Sequence, residues 1–471
     1  MVSQSARSAL ASAVSVVTRT VRTASGVFAP GHLGELTRYL PFELVDAVLA
    51  ETGRTERRLR DLPSRVGVYF VLALALFPDL GCGQVWGKLS AGLAAVPGWP
   101  SPTAKALRDL RRRLGEEPLR ALFGIVAGPA ARPATPGIRF GRWRTVAFDG
   151  CTSIKAPDSV RNVGWLSKAA AALGVTGYPM IEVMTLVETG TRALLGAVFG
   201  PTAQTETGYA SALLHLLTPD MLVLADRGFD HGAFLEKVEA TGAMFLVRIR
   251  STRRPPVAAR LDDGSLLARI GSLTVRIITA NVTVTCADGT TWTAAYRLAT
   301  TLTDPRLHPA EPLIRLYHER WEHEVTYLAL RHTLLKGRVL RSHDPVGLRQ
   351  ELWALLTVYQ LLRIAMVTAI ETVPGADPDR AGFTTALTTA QDLLIKAEGI
   401  LDHQPIDLIG DIGRAVLADL APPRRPRVSV RKVKSPLSRW NKADPHRPHT
   451  STKITSTKIS SPKPSTTSAG P

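Results

Sequence analysis

Three carboxylates have the settings that two-cation phosphodiester chemistry needs. Asp149 closes the apolar run Thr145-Val-Ala-Phe-Asp149-Gly150. Asp226 closes a second, Met221-Leu-Val-Leu-Ala-Asp226-Arg-Gly228. Glu324 lies in a charged stretch, Tyr317-His-Glu-Arg-Trp-Glu-His-Glu324. Two strand-end aspartates and a helical glutamate are hard oxygen donors suited to a pair of Mg²⁺ ions, with Mn²⁺ able to substitute. Ions so held would activate water or a 3′-hydroxyl against a phosphodiester.

The elements that must position these acids are legible in the pattern. Val146–Phe148 reads as a short apolar strand. Met180–Val187 and Ala193–Phe199 flank Glu188-Thr-Gly-Thr-Arg192 as a hairpin. Thr205–Leu217 reads as helix, Met221–Ala225 as buried strand, His231–Thr241 as helix and Met244–Arg248 as strand. That order predicts an α/β fold: a mixed sheet of the ribonuclease H kind with helices on both faces. Asp149 and Asp226 then fall at the carboxyl ends of neighbouring central strands. Between residues 251 and 305 the composition turns to Thr and Val. Leu273–Thr279, Val282–Cys286 and Trp292–Leu298, with Asp288-Gly289 as a turn, predict a β-rich insertion before the last catalytic helix.

Glu324 needs a helix. At about 100° per residue from Tyr317, Arg320 falls near −60°, Glu324 near −20° and Arg331 near −40°, one narrow face. Glu319 and Glu322 fall elsewhere. A carboxylate ligand flanked by two guanidiniums and a phenol suits a phosphate-gripping surface, although an ordinary helix with internal ion pairs has the same composition. His318-Glu319…His323 imitates a zinc-protease helix, but histidines five apart do not share a face.

The flanks differ from this core. Residues 1–30 read as a weakly ordered leader. Residues 31–130 predict an all-helical N-terminal domain, expected to bind DNA: Phe42–Glu51 after Pro41 with Gly53 as its stop, an apolar helix near 66–77, and Ala104–Leu114 with Ser101-Pro102 as cap and Gly115 as stop. Arg108, Arg111, Arg112 and Arg113 on the last helix either track phosphates or form a solvated face. Residues 140–250 are the first part of the core and 306–420 the second part with C-terminal helices. Residues 421–471, rich in Pro, Ser, Thr and Lys, read as a disordered basic tail.

The chain has 58 Lys and Arg against 40 Asp and Glu, a net charge of +18. From Pro422 onward there are twelve Lys or Arg and one acid, so +11 of that charge sits in the tail. Such a balance favours a polyanionic partner through counterion release. Three widely spaced cysteines, Cys82, Cys151 and Cys286, support neither a disulfide framework nor a structural zinc, and fit a reducing cytoplasm. Leu352–Ile370 approaches membrane-spanning length but carries Gln360 and Arg363, and reads as a buried helix.

Over residues 30–370 the chain resembles the DDE transposases of bacterial insertion sequences, specifically the insertion-sequence-four family. The resemblance rests on Asp149-Gly150-Cys151-Thr152, on Leu224-Ala-Asp226-Arg-Gly-Phe229, and on Tyr317, Arg320, Glu324 and Arg331 in the family's Tyr-x2-Arg-x3-Glu-x6-Lys spacing. Arg331 stands where the family has Lys. The resemblance implies Asp149, Asp226 and Glu324 as metal ligands for two Mg²⁺. It implies Tyr317, Arg320 and Arg331 as DNA contacts, with Arg227 assisting. Trp292, by location, is the candidate for stacking a flipped base, or a core tryptophan. The implied partners are double-stranded DNA, as terminal inverted repeats and target, and a second copy in a synaptic homodimer, with no membrane. The implied reaction is cut-and-paste transposition through a hairpin at the element's end, in a bacterial cytoplasm at the nucleoid. A metal-dependent nuclease without strand transfer and a domesticated, inactive DNA-binding protein are the rival readings.

Overall fold

Pro41 lacks an N–H and holds φ near −65°, so it sits where a helix begins, and Gly53 adopts φ +67 just past the end. Between them lies α1, Phe42–Glu51. Such local chemistry recurs through the computed structural model. It describes residues 32–56, 62–91, 101–168, 170–171, 174–175, 177–286, 291–318, 320, 322–396, 409–422 and 454–460. The backbone divides into two units. The first comprises Met1–Arg139, Ala147–Leu216 and Trp321–Ala421; the second comprises Phe140–Val146, Leu217–Arg320 and Pro422–Pro471.

In the first unit every regular element described from 36 to 126 is helical: α1, then α2 (Ser64–Leu76), α3 (Cys82–Leu89), α4 (Ala104–Leu114) and α5 (Glu117–Val126). From Val66 to Leu76, α2 is buried on all sides except Arg65 at its start, the pattern of a core helix. The cap of α4 is Thr103, whose hydroxyl oxygen accepts from the Ala106 N–H, two residues after the expected Ser101; Gly115 at φ +71 stops it. Next come β1 (Trp143–Lys155), α6 (Val160–Leu166), β2 (Met180–Glu188), β3 (Leu194–Pro201) and α7 (Glu206–Ser211). The strand order is β3-β2-β1, and β2 and β3 form the expected antiparallel hairpin, Ile181 opposite Pro201 and Thr185 opposite Ala197.

Two corrections arise here. β1 runs thirteen residues, so Asp149 lies mid-strand rather than at a strand end. Cys151 to Lys155 continue the strand. The arginines of α4 also divide. Arg111 donates to Glu351, Ser342 and Gln350, and Arg113 donates to the Leu62 carbonyl, while Arg108 and Arg112 stay exposed. Half of the supposed phosphate-tracking row is therefore internal structure.

The second unit contains the first residues of β1, then β4 (Met221–Ala225), α8 (Gly232–Glu239), β5 (Met244–Arg248), β6 (Val257–Arg260), β7 (Leu266–Ile270), β8 (Leu273–Cys286), β9 (Thr291–Thr300), α9 (Ala310–His318) and, in the tail, β10 (Ile454–Ser460). β1, β4, β5, β9, β8, β7 and β6 follow one another across the sheet. β4 and β5 are parallel, as a helical crossover requires, and the later strands are antiparallel. The β-rich insertion thus continues the sheet. Leu273–Cys286 is a single strand where two were expected, and β6 and β7 had no clear signal. Asp288-Gly289 lies outside the described residues, as do residues 1–31 and most of the tail. Within the tail, Ile454–Ser460 differs from the expectation of disorder: it pairs antiparallel with β8.

The remaining helices belong to the first unit: α10 (Glu322–Leu328), a π-helical turn at Ala329–Leu334, α11 (Pro345–Ile370), α12 (Phe383–Lys396) and α13 (Gly410–Ala418). α11 is long and apolar enough to cross a membrane, but 83% of its apolar window is buried inside the protein. Two of its polar residues have internal partners. Gln360 donates to the Val126 and Gly128 carbonyls and accepts from the Leu194 N–H; Arg363 donates to the Tyr359 hydroxyl and lies over the Phe383 ring. The helix is the spine of a core that includes Leu72, Leu119, Leu355 and Leu394. Each such side chain contributes about 1.5–3 kcal/mol by leaving water.

Candidate active site

β1 carries Asp149 into the interior of the first unit, and the Gly150 N–H donates to its carboxylate at 3.1 Å. Glu324 occupies the first turn of α10; its side chain lies outside the described residues. Three positions on, and so on the same side of the helix, is Tyr327. Its hydroxyl donates to the Asp149 carbonyl at 2.7 Å and lies 3.0 Å from both the Val183 carbonyl and the Thr185 hydroxyl. A phenol has one proton, so the two carbonyls share it, and Thr185 can donate to the oxygen. Burial, reinforced by the Asp149 charge, pushes the Tyr327 phenol well above its ordinary range, so it remains a donor. One hydroxyl thereby fastens the helix of Glu324 to the strand of Asp149. Tyr327→Phe is expected to destabilise the protein by about 1–3 kcal/mol, because buried polar groups lose their partner. Chemical denaturation at equilibrium measures this, and an unchanged midpoint would remove the fastening role.

Beyond α10 the chain winds as a π-helix, with the Leu335 N–H donating to the Leu330 carbonyl. Arg331 lies within it and donates to the Ser153 hydroxyl on β1 at 2.5 Å. The uniform helical count from Glu324 to Arg331 is not kept. Glu324 lies in the first turn of α10, and the π turn changes the angular step before Arg331.

Two more acids stand at Asp149 that the sequence reading passed over. Glu182 projects from β2 and Glu206 opens α7. A Cβ on Gly150 would lie 2.6 Å from a Glu182 carboxylate oxygen and 3.2 Å from one of Glu206, so only glycine admits both. Glu182 is 3% exposed, and its Oε1 has no hydrogen-bond partner among the described residues. Burial first, then the charges of Glu206 and Asp149, push its carboxyl up to about 7. A visible signal existed: Glu182 interrupts the apolar run of β2. Because the folded pKa lies above the usual 4.5, the folded state holds the extra proton, and stability falls as pH rises between those values. In the absence of divalent ions, Glu182→Gln is expected to melt higher than the parent at pH 8 and alike at pH 4. Equal melting at both pH values would show that the carboxyl carries no such penalty.

In the second unit Asp226 directly follows β4. Its carboxylate accepts from the Gly228 N–H at 2.7 Å and starts the 3₁₀ turn Arg227–Phe229, which leaves Arg227 exposed. Tyr317, 3% exposed, ends α9. Burial pushes its phenol up to about 12, Asp226 adds to the rise, and Arg320 and Arg248 oppose it. Asp226, Tyr317 and Arg320 are thus electrostatic neighbours, with the Arg320 guanidinium carbon 6.0 Å from the Tyr317 ring centre. Trp292 lies opposite Val284 in the β8–β9 ladder; its side chain lies outside the described residues.

Residues 30–124 match the family model described as insertion element 4 transposase N-terminal, and residues 144–361 match that of the transposase DDE domain. The chain belongs to the insertion-sequence-four family of DDE transposases. The transposase InsG for insertion sequence element IS4 of Escherichia coli (strain K12) is 25% identical over 419 residues, spanning 85% of this chain and 92% of that protein. The piggyBac transposase synaptic complex with hairpin DNA gives a TM-score of 0.41 at 11% identity, covering 90% of each chain. In this transposase the DDE match spans Asp149, Asp226 and Glu324. Among the described residues, no group of three His, Cys, Asp or Glu side chains is arranged to hold an ion. The donor chemistry still fits a hard divalent cation: the candidate ligands are all carboxylates, and near Asp149 the buried Glu182 oxygen is a further oxygen donor without a hydrogen-bond partner among the described residues.

Proposed function

We propose that this transposase binds the terminal inverted repeats of its insertion sequence as a synaptic homodimer at the bacterial nucleoid, cuts the DNA there and joins the freed 3′-hydroxyl to target DNA. Asp149, Asp226 and Glu324 would hold two Mg²⁺ or Mn²⁺ ions. Bound there, the ions supply Lewis-acid activation of the attacking oxygen and stabilisation of the leaving oxygen. The observation that carries the reading is the Tyr327 hydroxyl on the Asp149 carbonyl, which ties the Glu324 helix to the Asp149 strand.

The chain's own residues have separable tasks. Tyr327 holds two ligand-bearing elements in register. Tyr317 keeps its proton and offers a donor to a phosphate oxygen. Arg320, Arg331 and the exposed Arg227 balance backbone charge near the scissile bond. Trp292, on the insertion, would stack an unpaired base. No covalent protein–DNA intermediate is needed, since a hydroxyl attacks directly. A strand-transfer assay with labelled inverted-repeat ends tests the reading. Joined product supports a transposase; cut ends that never join identify a nuclease; binding without cutting identifies a domesticated DNA-binding protein.

A further inference from the structure

The neighbourhood of Tyr317 contains a pair that neither the family motif nor the match assigns. Arg248 ends β5 and lies opposite Leu298 of β9 in the antiparallel register. Tyr296, two residues from Leu298, presents its side chain on the same face as Arg248, as the period of two requires. The two meet: the Arg248 guanidinium carbon lies 4.1 Å from the centre of the Tyr296 ring. That ring meets Tyr317 edge-on, with centres 6.5 Å apart. The Arg320 guanidinium carbon lies 6.0 Å from the Tyr317 ring centre. The result is a row, Arg248–Tyr296–Tyr317–Arg320, beside Asp226.

Among the described residues no carboxylate pairs with Arg248 and no hydrogen bond holds its guanidinium. In the same unit, Arg253 pairs with Asp230 and Arg276 with Asp263. A guanidinium laid on an aromatic ring keeps its planar edge of donors directed sideways, ready for a bidentate anion. Arg248 and Arg320 both act on the Tyr317 hydroxyl, so two cations converge on one buried phenol. Such a convergence of positive charge suits an anion with several oxygens.

We propose that Arg248, held in place by the Tyr296 ring, binds a backbone phosphate of the DNA strand next to the one gripped by Tyr317 and Arg320. This rests on the DNA-cutting reading above and adds a phosphate subsite to it. Arg248 makes the contact; Tyr296 is a positioning residue.

The test uses the full chain without divalent ions and a labelled duplex carrying the inverted repeat that flanks its reading frame. Binding is followed by fluorescence anisotropy over a salt series. Arg248→Ala is expected to lower affinity roughly tenfold or more, as loss of a charge-assisted bidentate contact does. Its salt slope should fall by about 0.9, the value for one phosphate. Arg248→Lys should keep the slope and lose part of the affinity. Tyr296→Phe should behave as the parent and Tyr296→Ala should not. In a scan with single neutral methylphosphonate linkages, the Arg248→Ala penalty should vanish at one position, since both changes delete the same contact. If Arg248→Ala keeps the parental slope and its effect adds to every methylphosphonate, the residue is merely structural and the assignment falls while the transposase reading stands. A parent chain that binds no such duplex overturns both.

Discussion

Asp226→Asn is expected to lower DNA cleavage by about a thousandfold or more while leaving inverted-repeat binding close to parental. A metal ligand contributes several kcal/mol to stabilising the charge that develops in phosphoryl transfer, and each 1.4 kcal/mol is a factor of ten in rate. Asparagine has nearly the same shape, and its oxygen can still accept from the Gly228 N–H, so the turn at Arg227–Phe229 should survive. What is removed is charge and metal affinity, and fold is spared. The same argument applies to Asp149→Asn, whose Gly150 contact an amide oxygen can also maintain. The measurement is cleavage of labelled ends beside an anisotropy titration of the same variant. Cutting at parental rate by Asp226→Asn would remove this residue from the site.

The largest stability effect should come from Glu351→Ala, about 3–5 kcal/mol, read from equilibrium denaturation. Glu351 is 6% exposed on α11. It accepts from Arg111 at 2.9 Å, from the Ser342 hydroxyl and from the Arg341 N–H at 2.8 Å. Removing it leaves the Arg111 guanidinium, on α4, inside the protein without its counter-charge. Arg111→Ala should cost a similar amount, and the double variant clearly less than the two together, because the second deletion relieves the charge stranded by the first. Strict additivity would show the pair to be uncoupled. Loss of DNA affinity by Arg111→Ala beyond what unfolding explains would restore the phosphate-tracking role that its burial removes.

Local chemistry explains how much of the fold was readable. Pro41, Gly53 and Gly115 punctuate helices through their own φ preferences, so the helical region before residue 130 could be read closely. The apolar runs of β4 and β5 are short, buried and bounded by turn residues, and their limits coincide with the expected ones. The site was read differently. Asp149 and Asp226 stood out because a charged residue after an apolar run is unusual, and Glu324 because of its spacing from Tyr317 and Arg320. Glu182 carried the same kind of signal and was overlooked, since an acid in the middle of a strand looks like the solvent side of an alternating pattern.

By itself the sequence determined the family, the hairpin and the crossover strands, because each follows from residue type and near-neighbour spacing. Tertiary structure alone decided that β1 continues past Asp149, that Arg331 lies in a π turn, that Arg111 turns inward to Glu351, that Tyr327 and Glu182 lie at Asp149, and that Arg248 lies on Tyr296. These depend on partners up to 240 positions away, as with Arg111 and Glu351. Desolvation and hydrogen bonding act on whatever the fold brings near, and no local pattern of side chains records that proximity.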